Sequence, residues 1–431
     1  MTIGEPAATP EETPEDRLYA IVEQGLCLGC GLCQSVAGPD NITVTKVKNG
    51  AERPVVVGTL DHPTVDRIYD VCPGVRIDGM PAENIDGNTI IDPVWGPLRR
   101  MVHGWAGDPT VRHVASTGGA LSALAQFLLT SGRVDFILHA KASTTEPSFG
   151  TPHLSFTVDD VMIGAGSRYG PTAVLINVRD VLDRGQPFAF IGKPCDIAAL
   201  RNYGRHDARV AELVKYYLTP VCGGFMQPAG MDAFMQRNDI DKSTVTAIRY
   251  RGYGNPGPTR FEMGESALEL HYLDMWGEDE SQWHLSMRCK LCPDGIGEAA
   301  DIAASDTWVG GAPNRVDSET DLGVNGIIAR SAAGMELLEA AIAAGAIVTG
   351  DEITPDEMTA YQPHQMRKKY AVAGRHAALE TSGRVTITTT DLRIAELSAS
   401  LPAEHFAFQH DGTTQRIAAG KADEDRPETP V

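Results

Sequence analysis

The chain has 431 residues, with 37 Lys and Arg against 57 Asp and Glu, so its formal net charge is -20 at pH 7. Its 42% hydrophobic and 22% charged residues are the composition of a protein with a sizeable core, which excludes disorder throughout. The negative surplus and the lack of a Lys/Arg run argue against a nucleic-acid partner, and no apolar stretch reaches the ~20 residues of a membrane span.

The N-terminus is acidic and Pro-rich, without the basic-then-apolar order of a signal peptide, and reads as the start of a cytoplasmic protein. Residues 1–16 are expected to be a disordered tail, and so is the end of the chain from about 412. Residues 17–92 are turn-rich with little periodicity, as expected for a small module held by something besides a large core. From 93 to 385 strand-like and helix-like stretches mix. A helix is predicted from about Gly118 to Leu129, with others at Ala173–Asp183, Asp196–Tyr203, Ala229–Gln236, Met335–Ala344 and Pro355–Tyr361. Strands are predicted at Val134–Ala140, Leu154–Val158, Phe188–Ile191, Val214–Val221, Val245–Tyr250 and Leu268–Leu273. The pattern reads as α/β, with a mixed α+β arrangement as the alternative, and residues 386–431 form a C-terminal extension.

The eight cysteines fall into two groups. Cys27, Cys30 and Cys33 sit two residues apart, a wrap in which one short loop offers three sulfurs to a cluster while Gly29 and Gly31 relieve crowding. Cys72, followed by Pro73, supplies a fourth ligand. This module therefore reads as a ferredoxin-like [4Fe-4S] site, since four-cysteine zinc sites usually pair two separate knuckles. Cys195, Cys222, Cys289 and Cys292 are less local. By spacing alone Cys195 and Cys222 read equally as buried small hydrophobes, and Cys289 with Cys292 as a dithiol or half a zinc knuckle.

Ser116, Thr117, Gly118 and Gly119 open a helix whose free N–H groups suit an anion such as a flavin pyrophosphate. Ser167, Arg168 and Tyr169 lie in a Gly-rich loop where Arg168 can fork onto phosphate and Tyr169 can stack on a ring. The run Gly252 to Gly257 matches a dinucleotide fingerprint by letter, but Pro256 and Pro258 stand where the helix must begin, and it is rejected.

In combination, Ser116-Thr-Gly-Gly, Gly166-Ser-Arg-Tyr-Gly-Pro, Gly192-Lys-Pro-Cys-Asp-Ile-Ala-Ala-Leu, Cys222, Tyr250-Arg-Gly-Tyr-Gly-Asn-Pro-Gly and Cys289-Lys-Leu-Cys-Pro-Asp resemble the beta-subunit family of coenzyme F420 hydrogenases and dehydrogenases. Its relatives include 7-hydroxymethyl chlorophyll a reductase and ferredoxin-dependent divinyl chlorophyllide 8-vinyl reductase. The resemblance implies a larger α/β flavin-binding domain with FAD, and a second [4Fe-4S] cluster on Cys195, Cys222, Cys289 and Cys292. It places Ser116 to Gly119, Ser167 to Tyr169 and Lys193 against FAD. Lys193 and Arg251 are then positioning groups at the catalytic site, and Asp196 a proton relay. The chain departs from the family pattern at Ser305-Asp306, where many relatives have Gly-Asp.

The implied activity is that of a ferredoxin-linked reductase. Electrons from reduced ferredoxin or a similar donor enter at the N-terminal cluster, reach FAD through the second, and leave as a hydride equivalent to an organic acceptor of deazaflavin or tetrapyrrole type. The rival reading is an electron-transfer beta subunit without a substrate of its own. A homo-oligomer and a complex with a dehydrogenase subunit are both compatible with either reading.

Overall fold

The computed structural model describes residues 12–277 and 284–428. Its centre is an eight-stranded mixed sheet in the spatial order Ile347–Glu352, Arg100–Ala106, Asn325–Ala329, Ile302–Asp306, Val214–Pro220, Phe188–Ile191, Phe136–Ala142, Gly150–Ser155. The four strands from Ile302–Asp306 to Phe136–Ala142 run parallel, and the remaining pairs are antiparallel. These inner strands are buried on both faces, as parallel strands covered by helices must be. Helix Ala120–Thr130 covers one face with Leu124 and Leu128, and helix Pro194–Tyr203 covers the other with Ile197 and Leu200. A separate antiparallel sheet, Ala247–Arg249, Pro258–Met263 and Ser266–His271, carries its own apolar cluster with Phe234 and Phe261.

The N-terminal cysteines sit among helices Pro14–Glu23, Leu32–Ala37 and His62–Val71 and the hairpin Ile42–Lys46 with Glu52–Val56. This region is not walled off. Cys30, Leu32 and Val71 share one apolar cluster with Phe136 and Phe188 of the main sheet and Ile197 of helix Pro194–Tyr203. Ser35 Oγ donates to the carbonyls of Leu175 and Ile176, each at 2.9 Å.

Two expectations are corrected. Helix Pro14–Glu23 begins inside the stretch read as a tail, with Thr13 capping it; residues 1–11 lie outside the described residues. The C-terminal stretch is structured at least to Glu428. Helix Ala403–Ala418 buries Thr413 and Ile417, and Glu424 grips Arg53 with both carboxylate oxygens at 2.7 and 2.8 Å. Polar composition hid this, because the partners are buried charges rather than apolar side chains. The predicted strand Leu154–Val158 is also shifted, since the strand ends at Ser155 and Val158 begins a helix capped by Thr157.

Candidate functional site

The carboxyl ends of the parallel strands converge on one cleft of about 290 Å³, the usual place for a ligand in an open α/β sheet. Lys193 follows Phe188–Ile191, Cys222 follows Val214–Pro220, and Asp306 closes Ile302–Asp306. Two strained loops form the opposite wall. Thr117 and Ser167 both have left-handed backbone, at φ 65° and 62°, and Ser116 Oγ lies 2.8 Å from Ser167 Oγ. Non-glycine residues hold such backbone at a cost of roughly 1–3 kcal/mol each, so the surroundings must enforce it. Close packing leaves room only for glycine opposite: a Cβ at Gly323 would overlap the Thr117 carbonyl.

Arg251 organises the floor. It is 3% exposed and forks onto Asp306, with Nη1 to Oδ2 at 3.1 Å and Nη2 to Oδ1 at 2.9 Å. It also donates to Thr117 Oγ1 at 3.1 Å and to Tyr169 Oη at 3.4 Å, and Thr117 itself donates to Asp306. Arg251 lies over the Trp308 ring at 4.7 Å. Tyr169, Tyr272, Trp276 and Trp308 supply an aromatic side, with Tyr169 and Trp276 centred 4.7 Å apart. Arg168 Nη1, Arg251 Nε and Trp308 Nε1 are buried donors without a hydrogen-bond partner among the described residues. Unpaired buried donors are costly, and a ligand rich in acceptors and ring surface satisfies them. The donor set therefore fits a flavin dinucleotide.

Of the expected flavin contacts, Ser116, Thr117, Gly119, Ser167, Arg168, Tyr169 and Lys193 line the cleft, and Gly118 lies just behind against Trp105 and Asn325. Arg251 lines it as well. Asp196 does not: it is 1% exposed on the first turn of helix Pro194–Tyr203, accepting the Lys193 backbone N–H at 3.2 Å and pairing with Lys193 Nζ at 2.7 Å. Asp196, expected as a proton relay, thus lies behind the cleft wall, where it caps the helix and holds Lys193. Burial would lower the Lys193 ammonium, but Asp196 and Cys195 outweigh this and raise it, so Lys193 stays a cation.

Sequence reasoning missed Asp306 as a site residue, along with Trp276, Trp308, Gln362 and His364. Asp306 and Trp308 both stand in the Ser305-Asp306-Thr307-Trp308 run where the chain departs from the family pattern, which was their signal; Trp276, Gln362 and His364 had none. Ser305 is accommodated because Gly326 pairs opposite it on the neighbouring strand, and its Oγ turns to the Gly326 carbonyl and Met358 Sδ, each 3.3 Å away. The Gly252 to Gly257 run forms a turn, in keeping with its rejection as a dinucleotide fingerprint.

None of the eight cysteines is in a disulfide, and they gather in two quartets. Cys27, Cys30, Cys33 and Cys72 line one cavity, and Cys195, Cys222, Cys289 and Cys292 line another. Burial pushes the Cys72 and Cys222 thiols up to about 12, with neighbouring thiols adding to the effect. Four sulfurs gathered away from water become stable thiolates only around positive charge. Among the described residues no three His, Cys, Asp or Glu groups meet closely enough to grip one metal ion. Arg288, 1% exposed, donates to the carbonyls of Pro73 and Gly74 at 2.5 and 2.9 Å, tying the Cys72 turn to the Cys289 helix. Leu28 lines both cysteine cavities, while Lys193, Cys222 and Gly224 line both the second cavity and the cleft.

Fold and site together define a mixed α/β protein that sets two cysteine quartets in line with a ligand cleft at its strand ends. Residues 101–178 match the N-terminal model, and 185–354 the C-terminal model, of the coenzyme F420 hydrogenase/dehydrogenase beta subunit. The chain belongs to this family. It is also similar in fold to a chain of the F420-reducing [NiFe] hydrogenase complex from Methanosarcina barkeri, with a TM-score of 0.52 and 17% identity over 67% of this chain and 96% of that one. No curated protein matches the chain.

Proposed function

We propose that this chain is an iron-sulfur flavoprotein oxidoreductase that takes electrons from reduced ferredoxin or a similar donor and reduces an organic acceptor of deazaflavin or tetrapyrrole type. The observation that carries this reading is that the three cavities share walls, Leu28 between the two quartets and Lys193, Cys222 and Gly224 between the second quartet and the cleft. When bound, two [4Fe-4S] clusters would supply one-electron relay, and FAD the conversion of electron pairs to hydride chemistry.

The chain's own residues have defined parts in this. Each cysteine quartet would hold one cluster, its thiolates spread over separate irons. The Gly74 backbone N–H donates to Cys72 Sγ at 3.4 Å, a contact that stabilises negative sulfur. Ser116, Ser167, Arg168 and the aromatic side would seat FAD. Arg251 and Asp306 fix Thr117 and Tyr169 in place, and Lys193 keeps positive charge between the second quartet and the cleft.

Anaerobic titration with dithionite, followed in the visible spectrum, tests the proposal. The protein should bleach and take up about four electrons per chain, one for each cluster and two for the flavin. A colourless protein that takes up none contradicts it.

A further inference from the structure

Apart from the cleft and the two quartets, the structure holds a concavity of about 760 Å³. It lies between helix Pro363–Thr381, helix Ala403–Ala418 and the turn bearing Cys289 and Cys292. Its lining includes Lys290, Arg367, Lys368, Arg375, Arg416 and Lys421 and, among the described residues, no Asp or Glu. In a chain of net charge -20 this is a local reversal of sign. Lys290 is faced by Arg416, Arg375 and Lys421, like charges whose repulsion an approaching anionic surface would relieve. Lys290, Arg416 and Lys421 are exposed, and among the described residues none of the three is held in an ion pair.

The position is as telling as the charge. Lys290 stands between Cys289 and Cys292. Lys368 lines both this groove and the second cysteine cavity, and its Nζ donates at 2.9 Å to the carbonyl of Gly223, beside Cys222. At the rim Phe408 is 74% exposed, an aromatic anchor of the kind protein interfaces bury. Both helices lie beyond residue 354, outside the part matched by the family.

We infer that this groove docks a small acidic electron-carrier protein, whose carboxylates cover Lys290, Arg416 and Lys421 and whose redox centre is brought beside the Cys289 to Cys292 turn. The inference rests on the redox reading above and names the face that receives the donor. Entry is then at the second quartet, in place of the N-terminal entry expected from the sequence. At each encounter one electron leaves the partner and one is taken up by this chain, with no atom transferred. The exposed aromatic rim favours a protein over a small polyanion.

The test is calorimetric titration of the cofactor-loaded chain with an acidic ferredoxin, at low and high salt, for the native protein, R416E/K421E and the charge-conserving R416K/K421R. Iron and flavin are counted on each preparation. Charge reversal should weaken binding by about tenfold or more and flatten its salt dependence, while R416K/K421R stays within about twofold of native. Ferredoxin binding that ignores the reversal, or none at all by a loaded chain, overturns the docking site. So does tight, reversal-sensitive binding of inorganic polyphosphate by a loaded chain that does not bind ferredoxin. If R416E/K421E does not fold, R416E and K421E are read singly by the same criteria. A chain lacking iron and flavin altogether overturns the redox reading instead, so the two failures are distinguishable.

Discussion

Arg251 is a buried cation whose carboxylate partner, Asp306, and stacked ring, Trp308, both line the cleft. Replacing it by Ala leaves Asp306 without its cation and Thr117 Oγ1 without the donor that holds it. Arg251→Ala should therefore cost about 3 kcal/mol of stability in urea unfolding and most of the bound flavin, with Arg251→Lys between it and the native protein, because Lys keeps the charge but not the fork. An unchanged flavin content in Arg251→Ala would show that this pair does not shape the cleft. At this scale the cysteines were legible from spacing or resemblance, and so were Lys193 and Arg251. That Asp196 sits off the cleft was not legible, because the sequence puts it next to Cys195, whereas the turn of the helix directs it back beneath Lys193. Asp306 was overlooked because its value lies in a partner 55 residues away.

Elements set by local pattern were read well, among them strand Phe188–Ile191 and helix Pro355–Tyr361, whose residue ranges agree with the prediction. The 19-residue helix Pro363–Thr381 was not. Its buried side includes Lys368 and Lys369, with Lys369 held by Glu298, so no apolar stripe marks it. The C-terminal helix and the segments beside it escaped for the same reason. Strand Thr388–Thr390 pairs in parallel with Arg76–Asp78, Arg393 reaches Glu298, and Glu424 closes on Arg53. Because the Arg53 side chain is only 3% exposed, Glu424→Ala strands a buried cation. That variant should lose about 3 kcal/mol, read as a lower urea midpoint, whereas a loss below about 0.5 kcal/mol would place the extension outside the cooperative fold.

Taken whole, the molecule is one continuous body in which the cysteine-bearing N-terminal segment shares its apolar core with the main sheet. Its loss of stability in acid follows from buried neutral histidines. Burial lowers His139 and His376 to about 4 and His364 to about 3. A histidine depressed in the folded state stabilises fully above the unfolded value near 6.5, and that contribution is lost as pH falls towards 4. His139 alone accounts for about 3 kcal/mol, so the thermal midpoint should drop between pH 6.5 and 4, and the His139→Gln variant should drop less steeply. A midpoint that stays flat across this window would show these rings to be protonated in the fold. The central claim, two quartets in line with a flavin cleft, is tested most directly by counting iron, acid-labile sulfide, zinc and flavin per chain on anaerobically purified protein. The account predicts about eight iron, eight sulfide and one FAD. Zinc on the cysteines with neither sulfide nor flavin would contradict it.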